Sequence, residues 1–290
     1  MVESLERIPG VTRNHPLAKH TSFNIGGPAE WFLESDDLAP VVRLGVPLLV
    51  LGAGTNLLVA DAGIEGLVVR SVARRFEVRG RRIRAESGLK MMRLARIAAD
   101  HDLTGFEWAI GVPGAVGGAV YQNAGCWGRQ LSEVLVEVEG LTPAGDPVVW
   151  SPEELELGYR HSALRDGQLH GHIVTAATVE LQPGDGAASR RQMSELTAER
   201  ERTQPIKTKN CGSVFINPAG DSAGRLVEAA GLKGAEEGAA QISPVHANFI
   251  VNRGGATAAD VWRLIQRAQA AVRERFGIEL APEVERVGRW

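Results

Sequence analysis

The sequence predicts an α+β fold, and three features point to it. Short apolar segments recur between turn-forming residues, as at Leu48–Leu51, Val134–Leu141 and Ile173–Leu181, and read as brief strands. The segment Leu67-Val68-Val69 follows Leu48–Leu51 too soon for a crossover helix, which argues against a doubly wound parallel sheet. Two amphipathic helical patterns, Leu89–His101 and Thr257–Phe276, stand apart from the strand runs.

The chain has 290 residues, room for roughly two or three cores. At 44% hydrophobic and 23% charged it has an ordinary globular composition. A net charge of −3 gives no overall basic field for nucleic acid or an anionic membrane. Met1–Gly10 carries acids and no apolar core, so it does not read as a secretory signal, and no apolar run reaches bilayer length. Cys126 and Cys211 match no metal or redox spacing. A reduced cytosolic setting is expected, with a single disulfide left open, and no metal.

In chain order, Leu48–Leu51 runs into Gly52-Ala53-Gly54-Thr55-Asn56-Leu57. The third glycine of a dinucleotide fingerprint is absent, since position 57 is leucine. Bared amides, the Thr55 hydroxyl and the Asn56 amide would suit a pyrophosphate; a plain strand-to-loop turn is the alternative. The arginines between Ser71 and Arg84 flank a hairpin tip at Arg79-Gly80-Arg81, and without interleaved aromatics they read as a solvated hairpin. In Leu89–His101, Met91, Leu94, Ala95 and Ala98 share one face.

Gly105–Gly128 is poor in charge and crowded with glycine, so it suits neither an amphipathic helix nor an ordinary strand. Backbone that approaches a flat ligand, or a set of tight turns, would have this composition. Further on, Tyr159-Arg160 could place a guanidinium in a cleft. His170-Gly171-His172 has strand-like period-two spacing but no third ligand. Ala187–Arg202 reads as a charged helix stopped by Gln204-Pro205, and Lys207 and Lys209 precede a Gly212-Ser213 turn. Ser222–Ala230 is a short helix with Gly231 at its end. His246 enters a strand, where a hydrogen-bonded structural role is the ordinary one. Thr257 and Asp260 cap the last helix, whose apolar face is Val261, Leu264, Ile265, Ala268 and Val272, with Gly277 ending it. Ile278–Gly288 is strand-like and contains Glu283.

The ordered set Thr21–Ala29, Gly52–Leu58, Gly111–Ala119, Asn123-Ala124-Gly125, Tyr159-Arg160, Gly212–Phe215, Asn217-Pro218, His246–Phe249 and Glu283-Val284 resembles the UDP-N-acetylenolpyruvoylglucosamine reductases of bacterial cell-wall synthesis, in their shorter subtype. The resemblance spans nearly the whole chain. It implies a two-subdomain FAD-binding module of the vanillyl-alcohol-oxidase type and a C-terminal α+β substrate-binding domain. Residues 1–70 would form the first FAD subdomain, with 279–290 packing near it; 71–202 would form the second and 203–278 the substrate domain.

By the same resemblance, FAD is bound by Ile25, by Gly52, Ala53, Gly54, Thr55, Asn56 and Leu57, and by Gly111, Val112, Pro113, Gly114, Val116, Gly117, Gly118 and Ala119. Arg160 binds the enolpyruvyl carboxylate, Ser213 donates the proton and Glu283 assists. Tyr159, Asn217, Lys233 and His246 meet the UDP-sugar. Where the family usually continues with an arginine after Glu-Val, this chain has Glu285 and then Arg286. The implied reaction is NADPH-dependent reduction of an enol ether in the cytoplasm, by a protein expected to be a monomer. A same-fold FAD oxidoreductase with another small substrate, or a nucleotide-binding module without turnover, are the other readings.

Overall fold

The computed structural model describes residues 5–290. The chain divides into two compact units: one holds the residues up to Val11, Phe32–Ala53 and Leu67–Glu199, the other Thr12–Trp31, Gly54–Gly66 and Arg200–Trp290.

The first unit is built on a five-stranded antiparallel sheet, in the order Pro147–Trp150, Leu135–Leu141, Ile173–Glu180, Arg82–Glu86, Phe76–Arg79. Gly80 takes φ +59° at the hairpin tip. Arg79 pairs with Glu77 of its own strand, and the arginines after the tip are paired across the sheet. Arg81 and Arg82 share Glu180 at 2.8 Å each, and Arg84 grips Glu139 with two parallel bonds. Helix Met91–Asp100 turns Met91, Leu94, Ala95 and Ala98 inward with Ile97 and Ala99, and these pack with Ile83, Phe106, Trp108 and Val179. Leu48–Leu51 pairs in parallel with Leu67–Arg70.

Two elements of this unit differ from the sequence reading. The glycine-rich stretch contains a helix, Val116–Tyr121. Close packing outweighs weak propensity there: a side chain at Gly117 would come within 3.0 Å of the Ser87 Cβ, so glycine lets the two backbones meet. His170-Gly171-His172 is a turn rather than a strand, because Gly171 bends the chain with φ +77°.

The second unit packs helix Ala258–Phe276 on a three-stranded sheet, Glu236–Glu237, Ala240–Ile242 and Ile250–Asn252. The helix begins with a reciprocal capping box: Asp260 N donates to Thr257 Oγ1 (3.1 Å), and Thr257 N to Asp260 Oδ2 (3.0 Å). Asp61 adds a second cap, accepting from Ala258 N and Ala259 N at 2.8 and 3.0 Å. Val261, Leu264, Ile265, Ala268 and Val272 are all buried, and Gly277 ends the helix in the left-handed region. Ala223–Ala229 is capped by the Ser222 hydroxyl. Of the strand-like tail, only Glu285–Val287 forms a regular strand, parallel to Leu57–Val59. The residues before it are engaged elsewhere: Phe215 bridges Pro282, and Ile216 N donates to Ala281 O (2.9 Å).

Candidate active site

In the first unit, strand Leu48–Leu51 ends at Gly52-Ala53. No group among the described residues accepts from the N–H of Gly52, Ala53, Gly114 or Ala115. The two segments adjoin, since a side-chain carbon at Gly52 would sit 3.5 Å from the Ala115 Cβ. Gly114–Gly117 is strapped to its neighbours by Met91 N to Gly114 O (3.0 Å), Val116 N to Leu89 O (2.9 Å) and Gly117 N to Ser87 O (2.9 Å). Gly111, Val112, Val116 and Ala119 are buried, Pro113 and Gly118 are exposed, and a methyl group at Gly118 would meet open space. Backbone donors bared beside glycine are the donor set a pyrophosphate requires, so these residues fit FAD.

The same unit carries the Tyr159-Arg160 loop. Tyr159 is exposed, and the half-buried Arg160 lies with its guanidinium carbon 5.3 Å from the centre of the Tyr159 ring. Arg160 has φ +55°, its Nη2 donates to Gly125 O (3.2 Å), and Arg165 donates to its carbonyl.

In the second unit Val214, the residue after Ser213, is joined to Glu283 through the backbone. Val214 O accepts from Glu283 N at 2.7 Å, in the antiparallel bridge that pairs Phe215 with Pro282. Ser213 is half-buried and Glu283 buried. The Asn56 amide donates to Glu283 O (2.9 Å) and Asn56 O accepts from Glu285 N (2.9 Å). The residue after the glycine turn thus fixes the acid carried 227 positions later. Leu57 pairs with Glu285 in the adjoining strand. Gly54 is buried with φ +62°, where a side chain would collide with His20 O at 1.9 Å, so only glycine fits. Ile25 is buried, and Thr21 Oγ1 bonds both its carbonyl (2.8 Å) and its N–H (3.3 Å). Cys211 lies near Glu283, and burial, reinforced by that charge, pushes its thiol far up, so it stays protonated.

The remaining expected substrate residues are also in this unit. His246 Nδ1 accepts from Asn248 N (3.1 Å), which leaves Nε2 as its donor. Burial and the nearby Lys233 charge lower its pKa. Lys233 pairs with Glu228 at 2.9 Å. Asn217 Oδ1 caps Ala223 N (3.0 Å).

Sequence reading passed over the residues that hold these segments in place. Asn248 is buried and brackets one residue: Oδ1 accepts from Phe215 N and Nδ2 donates to Phe215 O, both at 2.9 Å. Asn252 donates to Phe23 O (3.0 Å) and accepts from Gly254 N and Ala256 N. The available signal was an asparagine set between apolar residues, as in Ala247-Asn248-Phe249.

Residues 36–151 match the FAD binding domain, and residues 204–287 match the C-terminal domain of UDP-N-acetylenolpyruvoylglucosamine reductase. The chain is 45% identical to the UDP-N-acetylenolpyruvoylglucosamine reductase of Synechococcus sp. (strain JA-3-3Ab), over 98% of this chain and 94% of that relative. The Rubrobacter xylanophilus protein of the same name is 43% identical over 98% of each chain. Among solved structures, UDP-N-acetylenolpyruvylglucosamine reductase from Thermus caldophilus aligns with TM-score 0.81 and 36% identity, covering 93% of this chain and 97% of that one. With near-full-length identity joined to an α+β build and bared amides where the FAD domain matches, the chain belongs to the UDP-N-acetylenolpyruvoylglucosamine reductase family.

Proposed function

We propose that this chain is an FAD-dependent reductase that uses NADPH to saturate the enolpyruvyl group of a UDP-N-acetylglucosamine enol ether, giving UDP-N-acetylmuramate for peptidoglycan synthesis. It would act as a monomer in the cytoplasm. The observation that supports the reading is the backbone bond from Glu283 N to Val214 O, which ties the segment carrying the Ser213 hydroxyl to the segment carrying a buried carboxyl.

Bound FAD, held by the amides at Gly52-Ala53 and Gly114-Ala115 and by the other glycine-rich residues of those stretches, would supply a hydride to the terminal carbon of the enol ether. Negative charge then develops on the neighbouring carbon and its carboxylate. Arg160, a permanent cation with parallel donors, is the group to bind that carboxylate. Ser213 protonates the carbon; an enolate of a carboxylate is a strong base, so a hydroxyl is acid enough. Glu283, buried, donates to the developing carboxylate oxygens when protonated. Tyr159, Asn217, Lys233 and the Nε2 donor of His246 would meet the UDP-sugar.

The test is rapid mixing of Ser213→Ala. Flavin reduction by NADPH should match the parent, while reoxidation by the enol ether slows by about 10²–10³, as for other lost donors to developing charge. Flavin that fails to bleach with NADPH would refute the assignment of Ser213. Flavin that bleaches but is not reoxidised by the enol ether, in the parent protein, would favour another substrate.

A further inference from the structure

We infer that Asn123 is the residue that positions Arg160, an inference resting on the carboxylate-binding role proposed for that arginine. Asn123 is fully buried and takes φ +44°, a backbone state asparagine tolerates better than most residues. Its side chain joins two segments of the first unit. Nδ2 donates to Gly158 O at 2.8 Å and to Ser132 Oγ at 3.2 Å, and Oδ1 accepts from Ser132 N at 2.9 Å.

Gly158 is two residues before Arg160, and the loop is closed tightly there by mutual backbone bonds between Gly158 and His161. Two residues after Asn123, Gly125 O accepts the guanidinium of Arg160. The segment Asn123–Gly125 therefore grips the arginine loop twice, by its backbone before Arg160 and by the side chain of Arg160 itself. Arg160 sits at φ +55°, a conformation that costs energy in a non-glycine residue and persists only where surroundings enforce it. Buried Ser162, bonded to Tyr121 O, and Arg165, bonded to Arg160 O, hold the far side of the loop. The Nδ2–Gly158 bond is the side-chain tie on the near side. Its loss would let the guanidinium drift without removing it, and misplacement of about 1 Å is enough to cost about 10²-fold in rate.

The test uses full-length, flavin-loaded protein with three variants: N123G, which keeps the left-handed backbone accessible, N123D, which keeps the acceptor for Ser132 N but loses the donor to Gly158 O, and R160A. Flavin content and the rate of flavin reduction by NADPH should stay at parent levels in N123G and N123D. Reoxidation by the enol ether should fall about 10²-fold in both, and N123G/R160A should be no slower than R160A. Parent-like reoxidation in N123D, or multiplicative losses in the double variant, would overturn the inference. Should N123G fail to fold, N123D decides alone. A parent-like R160A would instead refute the role of Arg160, so the two failures are distinguishable.

Discussion

Glu107 is a buried carboxylate held by donors from three places: the hydroxyls of Ser189 (2.5 Å) and Thr104 (2.7 Å) and the N–H of Gly105 (2.9 Å). Burial alone would raise its pKa, but the hydrogen bonds outweigh it and hold the group below the usual carboxylate range. Because the folded value is lowered, this stabilisation is complete above the unfolded value and is lost as pH falls through the folded one. Glu107→Gln should cost about 1.5–3 kcal/mol at neutral pH in urea unfolding, with the difference from the parent shrinking under acid. The cysteines give a second check at this scale. Half-buried Cys126 should react with a thiol reagent in the folded protein, and Cys211, buried and kept protonated beside Glu283, only on unfolding. Single residues were unevenly legible. Glu283 could be picked out in the sequence by family likeness; that it lies buried against Val214 could not, because burial is decided by what packs over a side chain.

Helix Ala258–Phe276 was readable in full, since its cap, apolar face and terminating glycine are all local. Thr257→Ala should lower stability by about 1 kcal/mol, seen as an earlier urea midpoint with unchanged slope. Asp61→Ala should add its own loss, because its carboxylate caps Ala258 and Ala259 independently of the capping box. That second cap was invisible in the sequence: Asp61 and Ala258 are 197 positions apart. The helix at Val116–Tyr121 shows the opposite limit. Intrinsic preference opposes it, and glycine at position 117 lets its backbone approach Ser87 closely enough to bond.

At the scale of the molecule, each unit has its own hydrophobic core, and the chain crosses between the units at five points. If the bared amides hold FAD as proposed, flavin-free protein should melt at a lower temperature. FAD at about 100 times its Kd should then restore about 2.7 kcal/mol, a thermal shift absent with riboflavin, which lacks the pyrophosphate. Among the described residues no helix is long and apolar enough to cross a membrane.

The sequence by itself determined the α+β class, the last helix with its caps, the hairpin at Gly80 and, through the order of its motifs, the family. These rest on local backbone preference and on short patterns that need no partner. Tertiary structure alone decided that Asn56 and Val214 hold Glu283, that Asn123 ties the arginine loop, and that glycine-rich chain becomes helix. Each of those depends on a hydrogen bond or a close contact between residues distant in sequence, whose free energy exists only once the chain has closed the loop between them.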